Sequence, residues 1–483
     1  MKTVTSLLLS LLFLSTCIAK PAQKPNVLFI AIDDLRTDLN CYGNSQIHSP
    51  NIDQLAQVGT LFERAYCQQA VCNPSRSSML TGLRLDTLNI WDLPTHFRQR
   101  IPDVVTLPQL FKQSGYHTQC VGKIFHNWRQ DDFRGDAVSW SAPQEMHYNS
   151  HGNDKAMVQG EVPPNLSDVP KCVIRDVPDE AYFDGRVAER AVEVLKELQD
   201  QSFFLAVGFW KPHSHFNAPK KYWDLYNPAE IKLPENRLPP KNVPEIALHN
   251  GQEILRSYKN LPNQYPTDHQ AREMRRGYYA NISYMDAQVG KVLDELDRLQ
   301  LRDNTIIVLW SDHGFHLGEN SLWAKTSNFE LDARVPMIIS TPQFNRKQST
   351  ESLVELLDIY PTLTDLCRLP SPDNLEGKSL VPILKHPQAK VKPVALTQHC
   401  RPAYPPHGQN PEAMGYSIRT SRYRYTEWRD FRTLDVVAME LYDHHSDPRE
   451  SNNVINDAKA GLRRQLARQL NSVISRQALP EQN

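Results

Sequence analysis

The 483-residue sequence carries almost no net charge: 54 Lys and Arg oppose 55 Asp and Glu. Without a surplus of either sign there is no global attraction for nucleic acid or an anionic membrane surface. An anionic substrate would have to be held by a local cluster. Long apolar runs are also missing, and the N-terminal run 7–14 is too short to span a bilayer. Internal repeats, coiled-coil heptads and low-complexity tracts are absent, which excludes solenoid and fibrous architectures. What is left is an ordinary globular composition, long enough for one large domain and a smaller one. The 35 prolines predict ordered turns and long loops.

The N-terminus reads as a secretory signal over 1–19: Lys2 supplies the positive start, 7–14 the apolar core and Ala19 the small residue at the end. The expected location is therefore secreted or periplasmic. Cys17 follows Leu14-Ser15-Thr16, a poor lipoprotein site because threonine precedes the cysteine. Seven other cysteines remain: Cys41, Cys67, Cys72, Cys120, Cys172, Cys367 and Cys400. In an oxidising compartment an odd count flags one special thiol, while the pairing of the rest is not readable.

Four apolar, β-rich runs at 27–32, 118–121, 203–209 and 306–310 read as buried strands. Amphipathic stretches at 182–198 and 272–299 read as helices, with Val187, Ala191, Val194 and Leu198 on one face of the first. Alternating strands and helices predict an α/β fold, a mixed sheet sandwiched by helices. Each strand runs into chemistry: Asp33-Asp34, Lys123 and His126, Lys211-Pro212-His213, and Asp312-His313. Ligands of open α/β sheets bind outside the carboxyl ends of the strands. A boundary near 384–392 divides a catalytic domain, 24–388, from a smaller α+β unit, 393–483. The latter has β-like runs at 414–419 and 423–428 and a terminal helix near 458–475.

Cys72-Asn73-Pro74-Ser75-Arg76 is the most specific signal, expected by chance roughly once in a thousand such chains. Pro74 suits a helix start and Gly82 a helix end, so free N–H groups would point at an anion near residue 72. With Thr81-Gly82 and Arg84, this segment resembles the signature of the type I, formylglycine-dependent sulfatases.

The resemblance implies that a maturation enzyme oxidises Cys72 to formylglycine, whose hydrate attacks sulfur with one hydroxyl and expels sulfate with the other. It implies a calcium ion held by Asp33, Asp34, Cys72, Asp312 and His313. Arg76 would bond the hydrate. Gly122-Lys123-Ile124-Phe125-His126 fits the family's G-K-x-x-H segment, so Lys123 would hold a sulfate oxygen and His126 would act as base. His213 and Lys325, in Trp323-Ala324-Lys325, would stand on the leaving-group side, with the proton donor open between them. His215 and His316 are expected as supporting or substrate contacts.

The resemblance covers nearly the whole mature chain. The runs 311–329, 414–426, 440–443 and 446–448 are most similar to the iduronate-2-sulfatase branch, which carries His at the position of His313. This implies an alkaline-phosphatase-like fold and a sulfated oligosaccharide substrate, a 2-O-sulfated uronic acid of a heparan- or dermatan-type fragment. Arg401, His399 and Trp428 are candidates for the pocket rim, and Asn165-Leu166-Ser167 and Asn281-Ile282-Ser283 for glycan acceptors. A phosphate or phosphonate monoester hydrolase of the same superfamily, or a glycan-binding protein with an unmatured Cys72, are the competing expectations.

Overall fold

The computed structural model describes residues 24–126, 135–146, 157, 169, 171–249, 252–255, 266–344, 346–407 and 409–474. The expected signal with Cys17, and Asn165, lie outside the described residues.

Strands β1 (Asn26–Asp33), β2 (Thr60–Phe62), β3 (His117–Gly122), β4 (Phe203–Pro212), β5 (Thr305–Ser311), β6 (Met337–Ser340) and β7 (Gln348–Thr350) form one sheet. Its order is β7-β2-β6-β5-β1-β4-β3. The four predicted strands are contiguous and parallel, with β3 at the sheet's edge, while β6 pairs antiparallel to β5. Side chains alternate across a strand, so the continuous apolar runs demand cover on both faces. Leu28, Ile30 and Ile32 face one core, and Val27, Phe29 and Ala31 the other.

The first core is closed by two helices, Phe183–Leu198 and Asp268–Arg298, through Val187, Val194, Met285 and Val292. The longer one starts four residues before its predicted beginning because Thr267 and Gln270 form a capping box there. The second core is closed by helix α1 (Cys72–Thr81), through Met79 and Leu80, and by Leu107–Gln113 and Ile359–Leu366. Beyond this sandwich, β8 (Ala395–Arg401), β9 (Ala413–Arg419), β10 (Tyr423–Asp430) and β11 (Val436–Asp443) form an antiparallel sheet. Helix Ala460–Asn471 packs on it through Leu466 and Leu470. The fold is alkaline-phosphatase-like, as expected. Among the described residues no helix is long and apolar enough to cross a membrane.

Two expectations need correction. All seven cysteines among the described residues are free thiols, six of them buried. Asn281 is fully buried inside its helix and donates to the Gly277 carbonyl at 2.6 Å, so in the folded chain it is closed to a glycan.

The motif segment is tied to β8 through Glu355, which is 1% exposed. Its carboxylate accepts from Arg84 at 2.9 and 3.0 Å, from Lys392, and from the Leu396 amide at 3.0 Å. Burial alone would raise this carboxyl, but the Arg84 guanidinium and Lys392 ammonium outweigh it and lower it from 4.5 to about 2. Replacing Glu355 by Gln leaves the part-buried Arg84 guanidinium without its bidentate partner, while Lys392 keeps Asp358 at 2.7 Å, and is expected to cost about 3 kcal/mol in denaturant unfolding. Because the folded value is depressed, the stabilisation is present above about pH 4.5 and fades as pH falls toward 2. The gap between wild type and variant should close over that window.

Candidate active site

The carboxyl ends of β1, β3, β4 and β5 meet over the N-terminus of α1. The helix begins at Cys72, two residues before the proline, so Cys72 is its first residue and Pro74 its third. Pro74 still removes one of the first N–H groups, which have no partner within the helix. The helix ends at Gly82, φ +70°, as predicted. All ten of its residues are buried.

Lys123 is placed by a close approach of two glycines. A Cβ on Gly122, φ +83°, would stand 2.2 Å from the Gly208 carbonyl oxygen, and one on Gly208 would stand 1.9 Å from the Lys123 carbonyl oxygen. With glycine at both sites, the Lys123 amide reaches the Gly208 carbonyl at 2.9 Å. On the far side of β4, the Asp184 carboxylate accepts from the Trp210 and Lys211 amides at 2.8 Å each, fixing the turn that carries His213.

The reacting groups are close. Cys72 Sγ lies 3.4 Å from Asp33 Oδ1 and 3.3 Å from His313 Nε2. His313 Nδ1 lies 3.0 Å from the Gly314 carbonyl, which turns Nε2 inward. Arg76 donates from Nε to Asp312 at 2.7 Å and from Nη1 to the Lys123 and Ile124 carbonyls at 2.7 and 3.0 Å. The ammonium of Lys123 pairs with Asp33. Lys325 donates to both oxygens of Asp34, at 2.8 and 2.9 Å. His213 Nε2 stands 3.8 Å from Asp34.

Two sets of donor atoms lie within 4.8 Å of one another: Asp33, Cys72, Asp312 and His313, and Asp33, Asp34, Cys72 and His213. The chemistry of these sets fits a hard divalent cation, since they bring three carboxylates together. Burial, against the pull of Lys325, holds the Asp34 carboxyl well above its ordinary value. Burial also raises Asp33 and Asp312, but cations outweigh it: Lys123, His213 and Arg76 for Asp33, and Arg76 first for Asp312. Burial and then Asp33 push the Cys72 thiol well above its ordinary value. Burial and then Lys123 keep the His126 imidazole well below its own, hence neutral.

The structure thus gathers Asp33, Asp34, Cys72, Arg76, Lys123, His126, His213, Asp312, His313 and Lys325 around one point. It does not place every expected contact there. His316 is fully buried behind the site, with Nδ1 2.6 Å from Asp332. His215 is half-buried, and its carbonyl accepts from Lys211 at 2.7 Å. His399 and Trp428 are not rim residues, since both are fully buried. Arg401 stacks on Trp428 at 4.7 Å and spends its donors on the carbonyls of Ile246, Ala247, Thr326 and Cys400. Two residues that carried no sequence signal are present instead: Glu253, 2.9 Å from Lys325 and 3.3 Å from His213, and Tyr404, 3.2 Å from Glu253.

The model of the family described as Sulfatase matches residues 25–369. The chain belongs to the sulfatase family. It is a sulfuric ester hydrolase, and a second model, N-sulphoglucosamine sulphohydrolase, C-terminal, matches residues 318–476. This sulfatase is 36% identical to iduronate 2-sulfatase of Mus musculus, over 90% of the chain and 92% of that protein. It is 35% identical to iduronate 2-sulfatase of Homo sapiens, over 94% and 96%. A solved structure, the phosphonate monoester hydrolase of Agrobacterium radiobacter, superposes with a TM-score of 0.77 at 23% identity, over 93% of this chain and 95% of that one. At that identity the likeness is one of fold.

Proposed function

We propose that this sulfatase removes the 2-O-sulfate of a uronic acid, iduronate first, from heparan- or dermatan-type fragments, with Cys72 matured to formylglycine beside a calcium ion. The carrying observation is Cys72 Sγ at 3.3–3.4 Å from His313 and Asp33, at the buried start of a helix. That sulfur marks where the attacking oxygen of the matured side chain would stand. The substrate class rests on the two relatives named iduronate 2-sulfatase, matched over nine-tenths of the chain or more. Secretion or periplasmic export rests on the 1–19 segment, and maturation on an enzyme acting at Cys72.

Asp33, Asp34, Asp312 and His313 would hold the calcium, with residue 72 completing the set. The ion would polarise a sulfate oxygen, and formylglycine would supply the nucleophile. The chain's own residues do the rest. Arg76, anchored to Asp312, and the free N–H groups of α1 orient residue 72 and favour negative charge in front of it. Lys123 reaches the same space from β3 and neutralises a second sulfate oxygen. His126, held neutral, takes a proton at its imidazole nitrogen as sulfate leaves the enzyme. Lys325 and His213 face the ester oxygen, and one of them hands it a proton.

The test is sulfate release from defined 2-O-sulfated uronate disaccharides, beside 6-O-sulfated glucosamine, phosphate monoesters and phosphonate monoesters. The 2-O-sulfated uronate should be turned over at least about 100-fold faster than the others, a discrimination within reach of a polar pocket. Equal or greater turnover of the phosphorus esters would overturn the assignment.

A further inference from the structure

Glu253 sits in a short helix, Gln252–Leu255, that follows none of the strands delivering the reacting groups. Its side chain is 20% exposed. One of its oxygens, Oε1, is shared by Lys325 Nζ at 2.9 Å and His213 Nε2 at 3.3 Å. The other, Oε2, accepts from the Tyr404 hydroxyl at 3.2 Å. Tyr404 follows β8 and is 37% exposed. A single carboxylate therefore joins both candidate acids to a residue of the chain's C-terminal part.

Among the described residues, the only other carboxylate bridging Lys325 and His213 is that of Asp34. Under the function proposed above, on which this step rests, Asp34 is committed to the cation. Glu253 then helps keep the two side chains pointing at the ester oxygen, beside the Ser214 carbonyl 2.6 Å from His213 Nδ1, and Tyr404 limits where its carboxylate can move. We infer that Glu253 is a positioning residue for leaving-group protonation, steadied by Tyr404.

The consequence depends on the leaving group. A nitrophenolate departs without a proton, whereas a sugar alkoxide needs one, and a placed general acid contributes about 10²–10⁴-fold. The experiment compares wild type, Glu253→Gln and Tyr404→Phe on 4-nitrophenyl sulfate and on an unactivated sugar sulfate. Glu253→Gln should lose about 100-fold in kcat on the sugar sulfate and less than about 5-fold on nitrophenyl sulfate, with KM little changed. Tyr404→Phe should show the same pattern at about 3–10-fold. Equal losses on both esters, or none on either, would overturn the positioning role while leaving the proposed function intact. A wild type that hydrolyses neither ester would overturn both.

Discussion

Replacing Cys72 by Ala is expected to lower turnover on the order of 10⁶-fold, the scale of deleting a covalent nucleophile. The fold should survive it. Among the described residues the thiol makes two polar contacts, at 3.3 and 3.4 Å, and the helix start is formed by backbone: the Ser75 amide bonds the Val71 carbonyl at 3.1 Å. Met79 and Leu80, which seat the helix in the core, are untouched. The melting temperature should therefore move by only a few degrees, on a scale where about 1 kcal/mol shifts a large domain by roughly 2–4 °C. Cys72→Ser separates an oxygen nucleophile from an aldehyde-derived one. It keeps an oxygen at the right place but lacks the second hydroxyl that expels sulfate, so it should be equally silent in the steady state. Sulfate release by either variant within tenfold of wild type would end the proposal.

Asp312→Asn is expected to lower kcat by about 10³-fold and to abolish retention of the metal. Asp312 is fully buried and does several jobs. It accepts from Arg76 at 2.7 Å and from the Asp34 and His313 amides at 3.2 and 3.0 Å, and it offers an oxygen to the cation set. The amide keeps most of that shape but removes one of three negative charges, the property a calcium ion needs. A ligand that binds only the folded state stabilises by mass action, about 2.7 kcal/mol at 100 times its dissociation constant. Wild type stripped by chelator should melt lower and recover with added calcium, whereas the variant should melt at the same temperature with or without it. Metal analysis beside thermal unfolding decides the matter. A variant with full metal content would remove Asp312 from the ligand set.

The strands were legible because their apolar runs are continuous, as a sheet buried on both faces requires. The strand ends followed from them, and with those ends the positions of Asp33, Lys123, His213 and Asp312 over α1. The burial of His399 and Trp428 is not legible in the same way, because both flank Gly415 of the intervening strand β9, and Arg401 of β8 covers Trp428 at 4.7 Å. His316 stands only three residues past His313 in the sequence, yet it is fully buried and its Nδ1 is taken up by Asp332 at 2.6 Å. Glu253 and Tyr404 were invisible for a different reason. Neither ends a strand or belongs to a spaced motif, and only packing between distant segments brings them to Lys325.

The complete burial of α1 also sets an order of events. Cys72 is 2% exposed at the head of a helix with no exposed residue. Another protein cannot grip that segment as an extended peptide once the sandwich has closed. Any catalyst that rewrites the residue must therefore reach it early, while the chain is still unfolded, and a chain that folds first would be locked in its unconverted form.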